Sequence, residues 1–154
     1  MSEPSPPSPE WHKRVAMENN NRAWELATRR RTPEEDLEML QAAHVSAWHW
    51  SQIGTELHRQ RAGMLLAEVH ALLGHGPLAF RLADSMRTHF LGQPDTPDWE
   101  IAFTHAIHAH AAHAAGRFET HRTSHQAARQ AIDALQNEED RQIVLQTFQF
   151  VPGE

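Results

Sequence analysis

The chain has no cysteine. That absence removes disulfide bonds, thiolate metal sites and cysteine nucleophiles together, and leaves His, Asp and Glu as the side chains able to ligate a metal. Long apolar runs are missing too. His, Arg or Glu interrupts every apolar stretch within a few residues, so no segment is suited to cross a membrane. Positive charge is scarce: 14 Lys and Arg stand against 20 Asp and Glu, a formal net charge of −6. Nucleic-acid binders present a basic face. The basic clusters here, Arg29-Arg30-Arg31 and Arg59 with Arg61, are short and read as solvated helix ends, so no nucleic-acid partner is expected. There is no glycine-rich phosphate loop, nucleophile elbow or HExxH motif. No residue is therefore assigned a catalytic role, and an enzyme is the less favoured reading.

What is present is helical punctuation. MSEPSPPSPE lacks a basic region followed by an apolar one, so it does not read as a signal peptide. Residues 1–9 are expected to form a disordered Pro/Ser-rich tail, residues 10–150 a single domain, and the cytoplasm is the expected location. About seven helices follow. The first is expected from Pro9 or Glu10 to Arg30. Thr32-Pro33-Glu34-Glu35 opens the second with an N-cap, a proline in the first turn and a capping-box glutamate; it should run to Ile53 and stop at Gly54 in a left-handed C-cap. Thr55 opens the third, which ends at Gly74, and Pro77 opens the fourth. Thr96-Pro97-Asp98 starts the fifth, ending at Gly116. The sixth spans about Arg117 to Gln136, and Asn137-Glu138-Glu139-Asp140 starts a short seventh with acids at its positive dipole end. No segment alternates apolar and polar residues with period two, so the fold class is all-α.

A repeat underlies this punctuation. Gly74 and Gly116, 42 residues apart, each sit at the turn of a helix pair, and LLAEVHALLGHGPLAFRLA aligns with HAHAAHAAGRFETHRTSHQAA. Ala67, Gly74 and Ala79 in one pair, and Ala109, Gly116, Phe118 and Ala128 in the other, resemble the tetratricopeptide repeat. Its first helix ends in Gly, and a small residue near the start of the second allows close packing. The resemblance implies stacked antiparallel helix pairs in a right-handed array over residues 10–136, with helix seven as a cap. The repeat exceeds the usual length of about 34, and His121 stands where a small residue belongs. HVSAWHWSQIG, VHALLG and DWEIAF are also similar to an uncharacterised bacterial family of this architecture, which bears on the fold and supplies no activity.

Function then rests on surfaces and on 13 histidines. By the repeat resemblance, Trp24, Arg61, Met64, Glu68, His110 and His113 line a concave groove. Their mix of apolar, basic and acidic groups suits an extended peptide or a partner's helix. The resulting reading is a protein–protein interaction module, with exposed faces that suit homodimerisation. The Lys/Asn-rich groove that clamps a terminal carboxylate in some tetratricopeptide proteins is absent.

The alternative is a histidine-based metal protein. His121 and His125 lie one turn apart on a helix-six stripe with Phe118, Ala128, Ile132 and Leu135, and His105 and His108 lie on a helix-five stripe with Ile101 and Ala112. Four converging imidazoles would suit Zn, Cu or Ni. Against this, single buried histidines usually hydrogen-bond a carbonyl or hydroxyl, and 13 of them produce such pairs by chance. His44 is expected in the core beside Leu37, Leu40, Ala47 and Trp48, and His70 is read as structural. Buried neutral imidazoles imply stability that falls between about pH 7 and 5.

Overall fold

The computed structural model describes residues 2–153. Seven helices follow one another: α1 (Pro9–Ala27), α2 (Pro33–Ile53), α3 (Glu56–Leu72), α4 (Gly76–Gly92), α5 (Asp98–Ala114), α6 (Phe118–Asp133) and α7 (Glu138–Phe148). No strand occurs among the described residues, nor any helix long and apolar enough to cross a membrane. The all-α expectation holds.

Helix starts follow local side-chain chemistry. Orphan N–H groups in the first turn need acceptors. Thr32 Oγ1 accepts from the Glu35 N–H at 3.2 Å while Glu35 accepts from the Thr32 N–H at 3.1 Å, the reciprocal box read from sequence. Thr55 builds the same box with His58 in place of an acid: His58 Nδ1 accepts from the Thr55 N–H at 3.2 Å. Ser8 caps α1 and Asn137 caps α7.

The helix ends explain the repeat. Gly74 and Gly116 have φ of 77° and 72°, a region that penalises any side chain. Each closes the same pair of backbone hydrogen bonds. The Gly74 N–H donates to Ala71 O and the His75 N–H to His70 O; the Gly116 N–H donates to His113 O and the Arg117 N–H to Ala112 O. Gly54 differs from expectation. It is extended (φ −80°, ψ 165°) rather than left-handed, and its lack of a side chain matters because a Cβ there would lie 2.6 Å from the Trp50 carbonyl oxygen. Helix α1 also stops at Ala27, short of Arg30. Thr28 Oγ1 donates to Trp24 O, and Arg31 Nη1 donates to the Leu26 and Arg29 carbonyls, so side chains satisfy the end groups early. Arg141 does the same for α6 by donating to the Ile132 and Leu135 carbonyls.

Consecutive helices pack as the pairs α1–α2, α3–α4 and α5–α6, and α7 closes on α5 and α6. Contacts also run α1 to α3, α3 to α5 and α5 to α7. Helices α1, α3, α5 and α7 thus form one layer and α2, α4 and α6 lie behind it, an array like that of helical repeat proteins. Small residues make the close packing possible: Ala67, Ala71, Ala79, Ala83, Ala102, Ala106 and Ala109 are buried around Met86, Phe90 and Ile107. Each large buried side chain contributes roughly 1.5–3 kcal/mol. Several expected core residues lie outside. Phe118 is 58 % exposed because α6 turns His121, Ser124, Ala128 and Ile132 inward and its first residue projects past the hairpin. Leu37, His44 and Trp48 are exposed because α2 buries Met39, Ala42, Ala43, Ser46, His49 and Trp50 instead.

Candidate functional site

All four inner-layer helices wall one cleft of about 460 Å³. Helix α1 contributes Trp24, α3 contributes Arg61 and Met64, α5 contributes Trp99, Glu100 and Phe103, and α7 contributes Ile143, Gln146 and Thr147. Trp24 meets Phe103 edge to face at 5.3 Å, an arrangement favoured by the ring quadrupoles. Arg61 grips Glu100 with both arms, Nε to Oε2 at 2.8 Å and Nη2 to Oε1 at 3.0 Å. The Glu100 side chain is 2 % exposed and that of Arg61 43 %, so the guanidinium offers its outer edge to the cleft while its charge is balanced beneath. The Glu100 hydrogen bonds, against partial burial, raise the Arg61 pKa.

Thr147 is set apart in this wall. Thr28, Thr88, Thr104 and Thr123 return their hydroxyls to the carbonyl four residues back, a common habit of helical threonine. The Thr147 hydroxyl is buried with no hydrogen-bond partner among the described residues.

Of the six residues expected to line a groove, Trp24, Arg61 and Met64 do so. Glu68 and His110 are buried against each other instead, His110 Nδ1 to Glu68 Oε1 at 2.5 Å, because both turn into the α3–α5 contact below the cleft floor. His113 lies between α5 and α6 against the rings of Phe118 and His121. Trp99 and Phe103 could have been found from sequence as an i, i+4 aromatic pair. The α7 residues were hidden because that helix reads as a mere cap.

The histidines are mostly paired, and not as a metal quartet. His108 Nδ1 bonds Ser124 Oγ at 2.7 Å and its Nε2 bonds Asp84 Oδ1 at 2.8 Å. His121 Nε2 donates to the Pro152 carbonyl at 2.7 Å, while its ring meets His113 and His125. His105 is half-buried, with its Nδ1 unpartnered. Among the described residues no group of three or more His, Asp or Glu is arranged to hold a metal. His105, His108, His121 and His125 therefore do not converge: the α5 pair turns toward α4 and Ser124, and the α6 pair toward His113 and the C-terminal segment.

Asp84, His108 and Ser124 have the composition of a nucleophilic triad, yet the arrangement is inverted. The serine is buried at 4 % exposure and the acid faces water. His108 is buried beside the serine at 3 % exposure, and the three side chains tie α4, α5 and α6 together.

Elsewhere, His12 and His49 meet Nδ1 to Nδ1 at 2.8 Å, and His70 bridges His44 and His75 at 3.0 and 2.9 Å. Burial, reinforced by neighbouring imidazoles, holds His49 and His70 below their ordinary pKa. Burial with the nearby Arg87 charge does so for His105. His110 goes the other way. Burial opposes its charge, but the charge and hydrogen bond of Glu68 outweigh that and raise its pKa.

Comparison of the chain with family models, curated proteins and solved structures finds no match.

Proposed function

We propose that this chain is a non-enzymatic interaction module of tetratricopeptide-like design, whose inner-layer cleft takes a peptide or helical segment of another protein. The observation that carries the reading is the cleft's composition: an apolar floor of Trp24, Met64 and Phe103 beside a half-exposed, charge-balanced Arg61 and a hydroxyl, Thr147, without a partner. Aromatic and arginine side chains around a sheltered centre are the usual energetic anchors of protein recognition. An occupant with one bulky apolar side chain and an acceptor for the exposed edge of the Arg61 guanidinium matches these walls. The alternative, a Zn, Cu or Ni site on His105, His108, His121 and His125, has less support because His108 and His121 already direct ring nitrogens to Ser124, Asp84 and Pro152.

The test is selection of a random displayed-peptide library on the full chain, followed by calorimetry of enriched peptides. Trp24→Ala and Arg61→Ala should each weaken binding about tenfold or more, while His121→Ala and His125→Ala should leave it unchanged. Failure to enrich any peptide, or enriched peptides indifferent to Trp24 and Arg61, would remove the proposal.

A further inference from the structure

The outer layer carries a second surface, independent of the cleft. Along α2 the outward sector is Leu37, Gln41, His44, Val45, Trp48 and Gln52, the i, i+4, i+7, i+11 spacing of a helix–helix seam. Leu37 is 54 %, Val45 37 % and Trp48 56 % exposed. Over those 16 positions the one charged residue is Glu38, at the edge of the sector and paired with Arg22 of α1, whereas the outward face of α6, in the same layer, carries Glu119, Arg122, Arg129 and Asp133. An uncharged seam on one outer helix and a charged face on its counterpart is the pattern of a surface covered by another molecule.

Trp11 extends the patch. It is 40 % exposed and its ring meets that of His49, so the start of α1 lies beside the end of α2. Lys13 and Arg14, exposed and outside any ion pair among the described residues, therefore flank the Trp48 end. At the opposite end Arg29 and Arg31 are taken up by Glu35 and Asp36, and the exposed Glu34 stands on the seam's own face.

We infer that the seam pairs α2 with α2 of a second copy of this chain, antiparallel, about a two-fold axis near Ala42 and Ala43. The seam is self-complementary in that sense. Leu37 of one copy meets Trp48 of the other, Gln41 meets His44, and Glu34 of each lies toward Lys13 and Arg14 of its partner. A parallel pair would bring Glu34 against Glu34 and Trp48 against Trp48, which the charge distribution disfavours. A two-fold contact of this kind is isologous, the commonest closure for soluble homo-oligomers.

Two measurements on the full chain decide it. Sedimentation velocity should give twice the 17.6 kDa chain mass, and Leu37→Glu or Trp48→Glu should each return the monomer with the helical circular dichroism unchanged. Because the chain has no cysteine, single substitutions then fix the orientation. Gln41→Cys, near the axis, should form an intermolecular disulfide on mild oxidation. Leu37→Cys should not, because two such residues would lie about 16 Å apart along an antiparallel pair at a rise of ~1.5 Å per residue, beyond the ~7 Å Cα limit of a disulfide. A monomer at 100 µM (roughly the weak end of specific association), or a dimer that survives both glutamate variants, would overturn the inference. Crosslinking through Leu37→Cys, with or without Gln41→Cys, would overturn its orientation, because a parallel pair sets each seam residue against itself. None of these outcomes depends on whether a peptide occupies the inner cleft.

Discussion

His108 and His110 sit two residues apart on α5, both buried, each bonded to a carboxylate. Their pKa values nevertheless move in opposite directions. Burial lowers that of His108, and Asp84 does not restore it; burial also works against the charged form of His110, yet Glu68 raises it. The difference lies in the acids. Asp84 is 59 % exposed and Glu68 1 %. A carboxylate in water is already solvated and screened, whereas one removed from water keeps its field and gives it to the nearest cation. Arg87 adds to the contrast by opposing charge on His108. Burial of a histidine thus decides little until the burial of its partner is known.

The contrast is most strongly tested at Glu68. Glu68→Ala leaves His110 buried without its counter-charge, and loss of one member of a buried pair costs about 3–5 kcal/mol. Urea unfolding should show that loss. Glu68→Gln keeps a hydrogen-bonding group and should cost less, while NMR titration should find His110 moved below its ordinary pKa, to the same side as His108. A cost under about 1 kcal/mol for Glu68→Ala would mean that the pair contributes no more than a surface bridge. The pair also has positional meaning. Glu68 and His110 are each six residues before their turn glycine, Gly74 and Gly116, so the bond joins matching positions of successive helix pairs. Any slip of α3 against α5 would strand two buried polar groups, which makes the pair a register device.

A smaller and more distributed effect follows with pH. His49, His58, His70, His105, His108 and His113 have folded pKa values below the ordinary one of about 6.5. Below that pH the unfolded chain binds more protons, so their contribution is complete above it and is lost as pH falls toward the folded values. His110 has the opposite sign: its stabilisation is present below about pH 6.5 and is lost as pH rises through the raised folded value. Six groups oppose one, so the melting temperature should fall from pH 7 to pH 5, at about 1.4 kcal/mol per group for each unit of difference. The stability gap between wild type and Glu68→Gln should narrow as pH rises above 7. A flat melting temperature across pH 5–7 contradicts the depressed histidines; a gap that widens with pH contradicts His110.

Much of the fold was legible in the sequence because caps and turns are local. Thr32 with Glu35, Asn137 with Asp140, and Gly74 and Gly116 each act within a few residues, and the structure places all of them as read. The side-chain partnerships were not legible. Asp84, His108 and Ser124 lie on three helices, and nothing about position 84 marks it as a partner of 108 until the helices are packed. The groove residues fell between these cases. Trp24, Arg61 and Met64 follow from repeat alignment, but a small rotation of α5 exchanges groove and core. His110 was thereby placed in the cleft, and Trp99, Glu100 and Phe103, which line it, were missed.

The weakest link of the contrast is Asp84, and its predicted effect is the smallest. Asp84→Ala removes a carboxylate already in water, while Ser124 still satisfies His108 Nδ1 and solvent at the helix surface can take the place beside Nε2. Exposed pairs typically contribute about 0–1 kcal/mol, so urea midpoints should barely move at pH 7.5. The titration should move nonetheless. Asp84 raises the His108 pKa through both its hydrogen bond and its charge, so without it burial and Arg87 act unopposed and His108 should resist protonation to lower pH. A stability loss approaching that of Glu68→Ala would show that solvent exposure does not spare a carboxylate bonded to a buried imidazole. The separation of the two histidines by the burial of their acids would then fail.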